Sequence, residues 1–258
     1  MLNFAIQTAR DAGRVLADRL GRTIQITNKG DIDLVTEADL AAERLIVERI
    51  QSYHPNHSIL AEESGKTERS GSGSEFKWIV DPLDGTTNFA HGYPCFCVSI
   101  ALERAGVVEV GVIHDPMRDE LFAAERGMGA TLNDRTICVS ETFDLNRALL
   151  CTGFPYDVRL RDEFARHLHQ FIMTAQGVRR DGSAALDLAY VACGRFDGFW
   201  EEGLNPWDVA AGVLLIEEAG GRASRYDGGA FDIYAPPIVA SNGLVHDAMM
   251  NVLRFGVR

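Results

Sequence analysis

Between residues 2 and 20, Leu2, Ala5, Ile6, Ala9, Ala12, Gly13, Leu16 and Leu20 recur at the spacing of one helical face. Arg10, Asp11, Arg14 and Asp18 lie off that face, so the pattern predicts an amphipathic helix. A second helix is predicted from Thr36, where Thr36-Glu37-Ala38-Asp39 resembles a capping box and Ala38, Ala41, Leu45, Ile46 and Ile50 supply the apolar face. The period then changes. Short apolar, β-rich runs at 57–61, 76–80, 96–102, 107–113 and 120–124 read as strands, mostly of one sheet. Helical patterns return at 161–174, 183–193, 206–219 and 244–253, with strands at 177–180, 197–200 and 237–240. This order predicts a layered helix-and-sheet fold. No repeat or linker interrupts it, so residues 1–258 read as one domain with an α+β half, 1–145, and an α/β half, 146–258.

Residues 64–75 break the pattern, because four Ser and three Gly leave little to bury; a surface loop and a mobile lid are both open readings. The chain as a whole is 46% hydrophobic and 24% charged, the composition of a globular protein. Its 25 Lys and Arg stand against 37 Asp and Glu, a formal net charge of -12. Such a field repels phosphate backbones and anionic lipid, so nucleic acid and membrane are not expected partners. A phosphate ligand would need local positive charge, and divalent metal on clustered carboxylates is one source. The five cysteines are scattered without a C-x-x-C pair and read as reduced core thiols. No apolar run approaches a membrane span and residues 1–20 lack a signal-peptide layout, so a cytoplasmic protein is expected.

Several fragments imitate known motifs and fail on context. Ser64-Gly65-Lys66-Thr67 would need Gly where Leu60 stands to end a P-loop, and Asp31-Ile32-Asp33 follows a turn instead of a hydrophobic strand. No cysteine has Arg six residues later, and His167 and His169 are two apart on a predicted helix, where a solvated surface is expected for both. The informative stretch is Trp78-Ile79-Val80-Asp81-Pro82-Leu83-Asp84-Gly85-Thr86-Thr87-Asn88-Phe89. Here a buried strand is expected to end at Asp81, with Pro82 and Gly85 turning the chain so that Asp84 returns beside it. Two carboxylates in one place favour a cation, and Mg2+ takes hard oxygen ligands, including a carbonyl such as that of Leu83. Gly85, Thr86 and Thr87 would open a helical turn whose N–H groups face an anion. A plain Asx turn is the alternative. Upstream, Glu62-Glu63 end another predicted strand and can deliver a ligand to the same sheet edge. Downstream, Asn205-Pro206-Trp207-Asp208 opens a helix with Asp208 in its first turn.

The stretch 78–89, together with Asn205-Pro206-Trp207-Asp208-Val209-Ala210-Ala211-Gly212 and Glu218-Ala219-Gly220-Gly221, resembles the two signatures of the inositol monophosphatase family. Asp33-Leu34-Val35-Thr36-Glu37-Ala38-Asp39, Ala61-Glu62-Glu63-Ser64 and Arg180-Asp181-Gly182-Ser183-Ala184-Ala185 extend the likeness nearly end to end. The resemblance implies a five-layer αβαβα sandwich, a homodimer, and Mg2+-dependent, lithium-sensitive hydrolysis of a small phosphomonoester without a covalent intermediate. By that resemblance Glu62, Asp81 and the Leu83 carbonyl hold one ion, Asp81, Asp84 and Asp208 a second, and a weaker third lies near Glu62. Thr86 and Glu62 orient the attacking water and Asp39 supports Thr86, although the capping box claims Asp39 equally. Glu62, Leu83, Asp84, Gly85, Thr86 and Asp208 also border the substrate. Gly182, Ser183 and Ala184 face its ring and Glu201 accepts from its hydroxyls, with a plain strand-to-helix turn the alternative for Gly182; Lys29 lies near the site in relatives, and a solvated lysine is the alternative reading of it here. Asp181 and His114 fall in regions that separate subfamilies. A fructose-1,6-bisphosphatase, a histidinol-phosphate phosphatase or a phosphoadenosine or NADP phosphatase shares the fold, and for a second phosphate Arg179 and Arg180 are the only nearby cations. A regulatory module that retains the fold is the reading of another class.

Overall fold

A computed structural model describes residues 1–21, 26–28, 34–67, 74–155, 157–235 and 237–256. Lys29, the Asp31-Ile32-Asp33 fragment and residues 68–73 of the Gly/Ser stretch lie outside the described residues. In chain order the helices are α1 (Leu2–Ala17), α2 (Glu37–Tyr53), α3 (Thr86–Ala90), α4 (Arg161–Thr174), α5 (Ala184–Ala192), α6 (Pro206–Glu218) and α7 (His246–Phe255). A short hairpin pairs β1 (Ile26–Asn28) with β2 (Leu34–Thr36). The first sheet takes β3 (Ser58–Ala61), β4 (Gly65–Thr67), β5 (Phe76–Asp84), β6 (Cys97–Arg104), β7 (Val107–Asp115), β8 (Glu120–Glu125), β9 (Ala130–Leu132) and β10 (Arg135–Thr136), in the order β10-β9-β8-β7-β6-β5-β3-β4. The second takes β11 (Leu149–Thr152), β12 (Gly177–Arg179), β13 (Gly198–Glu201), β14 (Arg222–Ser224) and β15 (Ile238–Ser241), in the order β12-β11-β13-β15-β14.

Alternation along the strands sorts the side chains into layers. Trp78 and Val80 face α1 and α2, whose Ala5, Ala9, Ala12, Leu16, Ala42 and Ile46 close that core. Ile79 faces the opposite way, into a core shared with α5, α6 and the inner face of the second sheet. Leu150, Trp200 and Val239 point outward from the second sheet against Phe171 of α4 and Met249 of α7. The result is the five-layer αβαβα sandwich. His114 is accommodated where Gly13 of α1 has no side chain, and its Nδ1 lies 3.2 Å from the Ala9 carbonyl.

Three expectations are corrected. The Gly/Ser stretch is not loop throughout, because residues 65–67 form β4 against β3. His167 is buried, 3.3 Å from the Glu202 carboxylate, whereas His169 is exposed. Cys138 is exposed and Cys193 half-buried, so only three of the five free thiols belong to the core.

Candidate metal and phosphate site

β3 runs parallel to β5, with Ala61 beside Val80, so the end of β3 brings the chain out level with Val80. The Glu62 N–H donates to the Val80 carbonyl at 3.2 Å, which sets Glu62 beside Asp81. β5 does not end there. It continues through Asp84, but Asp81 pairs with Ser99 and Asp84 with Cys97, so four residues of β5 span three of β6. This is a β-bulge, and it corrects the expected tight turn through Pro82 and Gly85. In a regular strand residues three apart point to opposite faces; the extra residue returns Asp84 to the face of Asp81, the one toward the central helices. Pro82 donates no N–H, which a bulge tolerates.

α6 supplies the next carboxylate. The Ser99 hydroxyl donates to the Trp207 carbonyl at 3.1 Å and holds the start of α6 against β6. The Asn205 N–H donates to Asp208 Oδ2 at 2.6 Å, as a capping box requires. One ligand oxygen from each of Asp81, Asp84 and Asp208 then lies within 4.8 Å of the others. Asp84 is fixed through Oδ2, which accepts from Ser183 Oγ at 2.6 Å and from the Ala185 N–H at 2.7 Å. These donors belong to the first turn of α5, whose positive end favours the charge. Asp81 Oδ1 accepts from the Leu83 N–H at 2.9 Å.

Thr86 opens α3 behind Gly85, whose φ of 99° is a left-handed conformation that suits glycine. Its Oγ1 lies 3.0 Å from both the Leu83 carbonyl and Asp39 Oδ1, so its single proton is shared between two acceptors. Asp39 makes the contacts of both readings at once. Its Oδ2 accepts from the Thr36 N–H at 2.9 Å and the Thr36 hydroxyl at 2.5 Å, which is the cap, while Oδ1 is the atom that meets Thr86.

Burial opposes charge throughout the cluster. It raises Asp81 well above the ordinary carboxylate range, and the charges of Glu62, Asp84 and Asp208 raise it further. Burial raises Asp84 despite the bonds from Ser183 and Ala185, and burial with the charge of Asp84 raises Asp208. Glu201 is pushed up to about 8 by burial and by Asp84, against the pull of Arg180 and the Gly153 N–H.

The cleft beside these acids, about 100 Å³ in volume, is bordered by Glu62, Leu83, Gly85, Thr86 and Glu201 among others. A contiguous recess of about 60 Å³ is walled by Gly153, Arg180, Gly182, Ser183, Ala184 and Glu201. The segment 182–184 therefore borders the recess, but the Ser183 hydroxyl is turned to Asp84. Two residues here were given no role by the sequence reading, although Asn88 lies within the stretch 78–89. Asn88 Nδ2 donates to the Cys95 and Asp181 carbonyls at 2.7 and 2.8 Å and so ties α3 to the segment before α5. Asp187 lies on the recess wall with Oδ1 buried and without a hydrogen-bond partner, and burial raises it well above the carboxylate range.

The donor set suits Mg2+: three carboxylates all raised by burial, a fourth in Glu62, and a peptide carbonyl, all hard oxygens. Among the described residues, no helix is long and apolar enough to cross a membrane.

The model of the inositol monophosphatase family matches residues 1–256. The inositol-1-monophosphatase of Synechocystis sp. is 48% identical over 254 residues, 98% of this chain and 88% of that protein. The Nus factor SuhB of Pseudomonas aeruginosa is 45% identical over 259 residues, 98% of this chain and 96% of that protein. Among solved structures, the extragenic suppressor protein suhB of Bartonella henselae superposes with a TM-score of 0.94 at 42% identity, covering 99% of this chain and 98% of that one.

Proposed function

The chain belongs to the inositol monophosphatase family, and on that premise we propose that it is a cytoplasmic, Mg2+-dependent phosphatase of small polyol phosphates, with myo-inositol 1-phosphate as substrate. The observation that carries the reading is the meeting of Asp81, Asp84 and Asp208 within 4.8 Å at the end of β5. Glu62, Asp81 and the Leu83 carbonyl would hold one ion, Asp81, Asp84 and Asp208 a second, and a weaker third would sit near Glu62. When bound, the ions supply Lewis acidity toward the phosphate oxygens and the leaving alkoxide and lower the pKa of water. The protein's part is placement. Thr86 spends its proton on Asp39 or the Leu83 carbonyl, so its lone pairs are left to accept from the attacking water. Glu62 offers that water a second acceptor, and the two fix its direction toward phosphorus. The N–H groups from Gly85 to Thr87 face the phosphate. No side chain is asked to become a covalent carrier.

Charge selects the alcohol part. Among the described residues that border the cleft and its recess, Arg180 is the only cation, and its guanidinium stacks at 4.7 Å over the Phe154 ring. Glu201 and Asp187 are acceptors. A neutral polyol satisfies them with its hydroxyls, whereas a second phosphate meets repulsion. The test is phosphate release from inositol 1-phosphate, fructose 1,6-bisphosphate, histidinol phosphate, phosphoadenosine phosphate and NADP, each with Mg2+ and with chelator. Inositol 1-phosphate should be turned over fastest and only with metal; faster turnover of a bisphosphate would replace the substrate assignment. The relatives named Nus factor SuhB favour a second, compatible reading, a protein-binding role beside catalysis. Binding that persists in Asp84→Asn would separate the two roles, and sedimentation would test the expected homodimer.

A further inference from the structure

Glu62 stands in the turn between β3 and β4, a short strand connection that by itself constrains a side chain weakly. The restraint comes from another layer. Glu43, on α2 and one helical turn beyond Asp39, is 5% exposed. Its Oε2 accepts from the Glu63 N–H and its Oε1 from the Ser64 N–H, both at 2.9 Å. Each oxygen thus holds one of the two consecutive backbone amides that follow Glu62. Charge-assisted bonds of this length, with the carboxylate itself buried, are among the stronger restraints available to a loop. Residues four apart share a helix face. The same face of α2 therefore carries Asp39, which holds Thr86, and Glu43, which holds the turn of Glu62.

We propose that Glu43 is a positioning residue for the cation site: its carboxylate clamps the 63–64 backbone and so sets where Glu62 can place its own carboxylate. The inference rests on the reading of Glu62 as a cation ligand. Glu43 touches neither the phosphate cleft nor Asp81, Asp84 or Asp208, so its effect must travel through the turn. In Glu43→Gln one amide N–H would face an –NH2 group instead of an acceptor, with the size and helix propensity of the side chain nearly kept. Loss of a supporting partner of a ligand costs about ten- to a hundredfold in metal affinity.

The experiment titrates the whole purified protein with Mg2+ by calorimetry, without substrate, for wild type, Glu43→Gln, Glu43→Asp and Glu62→Gln, and follows amide exchange at Glu63 and Ser64. Glu43→Gln should weaken Mg2+ by about tenfold or more, in step with Glu62→Gln, and should speed exchange at both amides. kcat at saturating Mg2+ should stay within about threefold of wild type, because the support acts on affinity and the ligand itself is kept. Glu43→Asp, which keeps the charge on a shorter stem, should fall between the two and serves alone if the Gln variant does not fold. If Glu62→Gln weakens Mg2+ and the Glu43 variants do not, the clamp is refuted and the site stands. If Glu62→Gln leaves Mg2+ affinity unchanged, the reading of the site fails first and the clamp with it. A lower melting temperature with unchanged affinity would make Glu43 a structural residue only.

Discussion

Two of the buried polar clusters among the described residues solve the same problem in opposite ways. At the second sheet, His246 is fully buried between two hydroxyls, Ser224 Oγ at 2.8 Å from Nε2 and Ser241 Oγ at 2.9 Å from Nδ1. Every partner is neutral, and burial with the nearby Arg222 lowers the imidazole to about 4. That cluster is complete within the chain. At the end of β5, burial instead raises Asp81, Asp84 and Asp208 alike, the charges of Asp84 and Asp208 raise Asp81 further and that of Asp84 raises Asp208, and no cationic side chain lies among the causes that act on Asp81. Buried polar groups that satisfy each other stabilise a fold; buried charges that oppose each other call for something from outside.

The largest effect expected from breaking this contrast is catalytic. Asp84→Asn should lower kcat by on the order of 10^3 or more while the fold remains, and in chelator it should melt above wild type, because one of the opposed charges is gone. Near-normal turnover would contradict the site. Next comes the cation itself. At a hundred times its Kd, Mg2+ should stabilise the native state by about 2.7 kcal/mol, read as a rise in Tm; superposable melts with Mg2+ and with chelator would mean that the acids do not converge on an ion. A smaller effect belongs to Glu201, at the boundary between the charged cluster and the alcohol part. Above about pH 8, where Glu201 is ionised, Glu201→Gln replaces a charge-assisted bond to a polyol hydroxyl and should cost about five- to thirtyfold in kcat/KM on inositol phosphate, with little change on phenyl phosphate. Equal losses on both substrates would place Glu201 in support of the metals.

The smallest effect is one of pH, and the two clusters should give opposite signs. Carboxyls whose folded pKa is raised favour the native state at low pH and lose that contribution as pH rises. The His246 pKa is depressed to about 4 from an unfolded value of 6.5, so its contribution is fully present above pH 6.5 and is lost as pH falls toward 4. With Mg2+ held constant, Tm of wild type should therefore drop by a few degrees more than that of His246→Asn between pH 6.5 and 4.5. Parallel curves would remove the histidine from the acid response.

α1 and α2 were legible in the sequence because each buries one face at a helical period, the long strands because they are continuous apolar runs between turn residues, and α4 was read at its observed limits. What escaped were short pieces. β1, β2, β4, β9, β10, β11 and β14 have two to four residues each and, at that length, periodicity does not separate a strand from loop. The acidic segments were legible too, since Asp81, Asp84 and Asp208 sit in distinctive local sequences. Their supports were not. Glu43 and Asn88 act on residues far along the chain, and nothing beside either of them in sequence marks the contact. The bulge was hidden for a related reason, because Pro82 and Gly85 are turn residues in isolation and only the ladder to β6 reveals that the strand continues.

That bulge does more than align two carboxylates. A regular strand with one residue fewer would also bring acids at alternate positions to one face, so alignment alone does not explain the extra residue. Its distinct product is a carbonyl: neither Pro82 nor Leu83 has a partner opposite it on β6, and the Leu83 oxygen turns to Thr86 at 3.0 Å. A peptide oxygen freed from its ladder is a ligand that carries a dipole but no formal charge. In a corner already crowded with carboxylates, it would add to the coordination number of a bound cation without adding to the repulsion among the acids.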